Sequence, residues 1–154
     1  MFTMKNTSAA VRWYEYILWA GIGALAAIIL TYIFNVTGLT SLSSYVEANE
    51  GLFGVSKSIP VLIVLYCLVT PVLEEIIFRY FIFNLLKKRI KKAAVSILIT
   101  AALFGIYHLN PVQMLYGFLM GLLITYSYYK RPVLTIPITV HAAANAVALA
   151  YTFL

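Results

Sequence analysis

Pro71-Val72-Leu73-Glu74-Glu75-Ile76-Ile77-Phe78-Arg79 sets two adjacent carboxylates and a guanidinium inside residues 59–86, a run that otherwise reads as lipid-soluble. An ionisable side chain in the hydrocarbon core costs at least about 2.5 kcal/mol, so such groups are rare, paired and tied to function. On a helix, Glu75 and Arg79 stand four apart on one face and can neutralise each other. Glu74 is turned about 100° away from Glu75 and has no local partner. The stretch therefore separates a supporting pair, Glu75 and Arg79, from a carboxylate left available for chemistry, Glu74.

The 154 residues around this stretch are 63% hydrophobic and 10% charged, with a mean hydropathy of +0.94. A soluble domain of this length cannot hide so much apolar surface. The expected fold is all-α, a polytopic transmembrane helical bundle in the cell membrane. A net charge of +6 would point to nucleic acid in a soluble protein. Here the basic residues flank apolar runs, so topology accounts for them and no nucleic-acid partner is expected. The single cysteine, Cys67, lies in an apolar run and reads as a small buried hydrophobe.

Five apolar spans follow in order. The first covers residues 13–36, interrupted only by Glu15, and is longer than the apolar core of a secretory signal. Residues 37–58, rich in Gly, Ser and Thr, read as a loop with a short interfacial helix near residues 42–46. The second span, 59–86, is long enough to tilt or to break at Pro71, whose ring disrupts the preceding turn. The basic hexamer Lys87-Lys88-Arg89-Ile90-Lys91-Lys92 reads as a cytoplasmic stop. Spans over residues 93–108, 112–129 and 133–154 follow, separated by the turns Asn110-Pro111 and Lys130-Arg131-Pro132. With the amino terminus cytoplasmic, Lys5, Arg12, the hexamer, Lys130 and Arg131 all fall inside and only Lys57 falls outside, a strong positive-inside asymmetry. Residues 1–58 form an N-terminal helix and loop, and residues 59–154 the core that carries the chemistry.

Two further spans bring polar groups. One ends in Phe104-Gly105-Ile106-Tyr107-His108, and the other contains His141-Ala142-Ala143-Ala144-Asn145, whose His141 and Asn145 share a helix face. At about 1.5 Å of rise per residue, Glu74, His108 and His141 lie roughly 20, 22 and 15 Å from the basic turns, within one layer of the bilayer. They can converge in one cavity. Gly105, Gly117 and Gly121 read as sites of close helix approach, without chemistry.

Hydrolysis by water needs a base and donors for the developing oxyanion. Glu74 suits the first role because desolvation makes a carboxylate more basic. His108 can help to hold and deprotonate the same water, while His141 and Asn145 can donate to the oxyanion. Ser96 and Ser127 sit near the ends of spans, away from this layer, so direct attack by water is expected. The rival is a zinc site on Glu74, His108 and His141. The HExxH spacing is absent and Arg79 would compete with a cation, so no metal cofactor is expected.

These residues resemble a known family. Glu74-Glu75-Ile76-Ile77-Phe78-Arg79 is similar to the EExxxR motif of the CPBP intramembrane proteases (CAAX proteases and bacteriocin-processing enzymes, also called Abi). Residues 104–108 resemble that family's FxxxH and residues 141–145 its HxxxN, in the same order. The resemblance implies a glutamic intramembrane endopeptidase. Glu74 and His108 would activate water, His141 and Asn145 would hold the oxyanion, and Glu75, Arg79 and Phe104 would support them. The partners implied are the lipid bilayer and a membrane-associated peptide or protein substrate. Tyr80 stands where the family often has glycine, which would narrow the cavity, and the chain has fewer spans than larger members. Two other functions compete: a non-catalytic bacteriocin-immunity or peptide-binding protein, and a proton pathway. The oligomeric state is not legible.

Overall fold

The computed structural model describes residues 10–55 and 58–153. Lys5, Lys57 and Leu154 lie outside the described residues. Six helices follow in order: α1 (Trp13–Val36), α2 (Ser43–Val55), α3 (Ile59–Ile90), α4 (Ala93–Tyr107), α5 (Pro111–Lys130) and α6 (Thr135–Tyr151). The outer surface is apolar: Ile17, Leu25 and Phe81 are 64%, 58% and 61% exposed, as lipid-facing side chains of a membrane bundle are. Of the helices, α1 and α3 are long and apolar enough to cross a bilayer by themselves, while α4 and α6 are shorter apolar helices of 15 and 17 residues.

Each apolar run of the sequence has become a helix, with two differences from expectation. Residues 43–55 form a full helix, not a loop with one short turn. Its Gly51 and Gly54 lower intrinsic helix propensity. A tertiary tie is made by Asn110, whose Nδ2 donates to the Ser44 carbonyl at 2.7 Å. The same Asn110 accepts from the Val112 and Gln113 amides and thereby caps α5, whose first residue is Pro111. Secondly, α3 does not break at Pro71. It runs through the proline, with a π-helical turn at Val64–Val69 absorbing the misfit and a second π turn at Ile76–Phe83 further along.

The helices pack by close backbone approach. Helices α4 and α5 form an antiparallel hairpin in which a Cβ on Gly105 would lie 2.6 Å from the Met114 carbonyl oxygen. Helices α1 and α6 run parallel. Tyr16 hydrogen-bonds Thr135 at one end, and Asn35 donates to the Tyr151 hydroxyl at the other. Between them a Cβ on Gly23 would meet the Val140 carbonyl oxygen at 2.6 Å. Glu15, an interruption in the first span, is the ion-pair partner of Arg131, whose Nε and Nη2 donate to its two carboxylate oxygens, joining the start of α1 to the α5–α6 turn. Tyr80 is 52% exposed and faces outward, so it does not narrow the interior.

Gly23→Ala should push α1 off α6 and lower stability by about 1–3 kcal/mol. Gly21→Ala, where a Cβ meets nothing within 4 Å, should leave stability unchanged or raised. Thermal unfolding in detergent distinguishes the two, and equal midpoints for both variants would contradict the packing.

Candidate active site

A cavity of 420 Å³ opens inside the bundle, and Glu74, His108, His141 and Asn145 all line it. Glu75, Arg79 and Phe104 stand behind its wall and are at most 2% exposed. The adjacent carboxylates of α3 thus have different surroundings, as the 100° rotation between successive helical residues requires. Glu74 faces the cavity, and Glu75 faces packed protein.

Glu75 Oε1 accepts from Arg79 Nη1 at 2.9 Å and from His141 Nδ1 at 2.7 Å. Arg79 also donates from Nη2 to the Gly121 carbonyl at 3.5 Å and lies over the Phe104 ring, 4.5 Å from its centroid. The guanidinium therefore has a carboxylate on one side and an aromatic face on the other, and it is fully buried. Because Glu75 holds His141 through Nδ1, the ring turns Nε2 towards Glu74, with Oε2 at 3.5 Å.

Helix α4 ends at Tyr107, after about 22 Å of rise, and presents His108 at its terminus. His108 Nδ1 lies 2.9 Å from the Phe104 carbonyl. A carbonyl only accepts, so Nδ1 carries the proton and Nε2 is left as an acceptor. The Phe104 ring lies edge-on to His108 and His141, with centroids 5.1 and 5.5 Å apart, and so fixes both imidazoles. Gly117 gives His108 its room, since a Cβ there would stand 3.1 Å from the ring.

Asn145 has a task that helix-face geometry did not reveal. Its Nδ2 donates to the Tyr66 carbonyl at 2.8 Å. The π turn sends the Thr70 amide to the Leu65 carbonyl, and the next residue, Pro71, has no N–H. The Tyr66 carbonyl thus loses its donor within α3, and Asn145 of α6 replaces it. One amide hydrogen is committed to this tie, and the second remains for the cavity.

Thr70, Gln113 and Tyr116 also line the cavity and were not singled out from sequence. Thr70 was legible, being one turn before Glu74 on the same face. Gln113 and Tyr116 follow the Asn110-Pro111 turn and become cavity residues only through the α4–α5 hairpin. Ser96 and Ser127 are fully buried and donate to backbone carbonyls of their own helices, and Cys67 packs with Leu62 and Leu149. Among the described residues, no three His, Cys, Asp or Glu side chains converge as a set that could hold a metal ion.

Fold and site together define a helical membrane protein that gathers a carboxylate, two imidazoles and an amide around one cavity. The family profile described as "Type II CAAX prenyl endopeptidase Rce1-like" matches residues 56–147, and the chain belongs to that family. The match spans all three motifs on which the resemblance to CPBP proteases rests. The chain is 30% identical over 137 residues to the "Putative membrane peptidase YdiL" of Bacillus subtilis (strain 168), covering 84% of this chain and 53% of that protein. The chain therefore spans about half the length of this relative. No solved structure matches it.

If Asn145 serves the carbonyl that Pro71 orphans, Asn145→Ala should cost about 1–2 kcal/mol of stability. In a Pro71→Ala background, which restores the missing N–H, the same change should cost less than half as much. A double-mutant cycle of unfolding free energies in detergent measures this coupling. Equal costs in both backgrounds would show that the tie is not what the proline requires.

Proposed function

We propose that the chain is an intramembrane endopeptidase that hydrolyses a membrane-associated peptide or protein. Its mechanism uses water, with Glu74 and His108 as activating groups and His141 and Asn145 as oxyanion donors. The protein acts as a multi-pass, five-span component of the cell membrane with its amino terminus in the cytoplasm. The observation that carries this reading is the shared cavity of Glu74, His108, His141 and Asn145, with Glu75 and Arg79 excluded from it. The Rce1-like family description and the peptidase name of the Bacillus relative support it.

In this mechanism a water sits between Glu74 and the lone pair of His108 Nε2. Its oxygen adds to the scissile carbonyl carbon while its proton passes to Glu74. The carbonyl oxygen becomes an oxyanion, which accepts from His141 Nε2–H and from the second Asn145 amide hydrogen. This role requires His141 to carry both ring protons, one held on Glu75 and one for the oxyanion. Collapse of the tetrahedral intermediate breaks the C–N bond, and the proton held by Glu74 passes to the departing amine. Two new termini result, and the site returns to its starting state.

No metal enters this scheme: His108 is held at Nδ1 by the Phe104 carbonyl and His141 at Nδ1 by Glu75, which leaves Nε2 of each ring for the water and the oxyanion.

Cleavage of membrane-tethered reporter peptides by purified protein tests the proposal. Glu74→Gln should keep the fold and lower turnover by roughly 10²–10⁴-fold, the span expected for removing a general base. Wild-type activity should survive a strong chelator. Loss of activity to the chelator with recovery on added zinc would replace the glutamate mechanism with a metal one. Cutting by Glu74→Gln at the wild-type rate would leave the cavity as a binding site only.

A further inference from the structure

We propose that the cavity takes its peptide from the extracytoplasmic side, so that its substrate class is membrane-tethered peptides whose scissile bond lies on that side. This deepens the protease reading above and rests on it for the word substrate, but the orientation of the cavity stands on separate observations.

The first observation is where the fold puts the basic residues. The sequence spreads them over three segments far apart in the chain, and the structure brings these to one end of the bundle. Arg131 of the α5–α6 turn clamps Glu15 near the start of α1. The Lys87 ammonium, near the end of α3, lies 5.1 Å from the Tyr129 ring centroid at the end of α5. Of the described lysines and arginines, only the buried Arg79 is not in these segments. That end carries the positive-inside signal and is cytoplasmic.

The second observation is that the cavity reaches the opposite end. From its floor at Glu74 and His141 it runs past Phe34 and Thr40, the last turn of α6 at Tyr151 and Thr152, and Tyr45 of α2. These belong to the end where Asn35 meets Tyr151 and where Asn110 ties down α2. Helix α2 lies beside this mouth.

The third observation is that the way from the basic end is shut. Arg79, Phe83, Ile124, Thr125 and Ile136 lie between the basic segments and the cavity floor, and each is at most 1% exposed. A peptide coming from the cytoplasm would have to displace the buried Glu75–Arg79 pair and the aromatic packing around it. A peptide coming from the other face meets a mouth lined by hydroxyl and aromatic side chains, with no lysine or arginine among its described residues.

Cysteine labelling tests orientation without requiring catalysis. In a Cys67→Ala background, Thr152→Cys at the mouth and Lys88→Cys at the basic end are treated in intact cells with a membrane-impermeant maleimide. Thr152→Cys should label in intact cells, and Lys88→Cys only after permeabilisation. The reverse pattern would overturn the inference.

The second arm uses one reporter peptide anchored by a single span, with its cleavable segment on either the outer or the cytoplasmic side. The outer reporter should be cut, and the cut should be lost in Glu74→Gln. Glu74-dependent cutting of the cytoplasmic reporter alone would overturn the inference and leave the protease reading intact. Outer labelling of Thr152→Cys with neither reporter cut would uphold the orientation and count against the protease reading.

Discussion

One buried oxygen organises the bundle. Glu75 Oε1 accepts from Arg79 in its own helix and from His141 of α6. Through Arg79 it also reaches α5 at the Gly121 carbonyl and α4 at the Phe104 ring. Four helices therefore meet at a charge that lipid would otherwise exclude. The arrangement imposes a direction on the fold, because a half-paired ion inside a protein is far more costly than a fully paired one. Another register of α3 against α6 would keep the Glu75–Arg79 pair, which is internal to α3, but would take the His141 partner from Glu75 Oε1.

The irregularity of α3 serves the same end. A straight α-helix through Pro71 would leave backbone groups unpaired in a place without solvent. The π turn at Val64–Val69 shifts the loss to the Tyr66 carbonyl, and the Asn145 amide donates to it. Helices α3 and α6 are thereby joined twice, at Tyr66–Asn145 and at Glu75–His141. Glu74 lies between these two ties, along α3, with its carboxylate on the cavity. The floor of the cavity is thus held rigid, as positioned chemistry requires. Around it, the short α4 stops at His108, and α2 occupies the space beside the mouth.

Much of this was legible in the sequence for a physical reason. Apolar runs near 20 residues long mark helices in lipid, and the first span coincides with α1 at both ends. The division between Glu74 and Glu75 followed from helical rotation alone, and Glu74, His108, His141 and Asn145 do share one cavity. Contacts between distant segments were not legible. The partner of Glu15 is 116 positions away, and nothing local to either residue points to the other. Helix α2 was missed because its composition is rich in Gly and Ser, and its tie to Asn110 joins segments 66 positions apart. Gly117 was read as a packing glycine, and it both faces the Gly105 backbone of α4, 3.4 Å from where a Cβ would stand, and makes room for the His108 ring, which the sequence did not show. The Asn145–Tyr66 bond required knowledge of how α3 passes its proline.

Of the two neighbouring carboxylates, Glu75 holds the fold and Glu74 does not. Thermal unfolding of Glu74→Gln beside Arg79→Gln, in the same detergent, tests that division most directly. Removing the Arg79 charge should destabilise the protein by about 3–5 kcal/mol, because it strands Glu75 in the interior. Glu74→Gln, which alters a group on the cavity wall, should unfold close to the wild-type midpoint. Equal losses from both variants would contradict this division and mean that Glu74 is a structural charge like its neighbour.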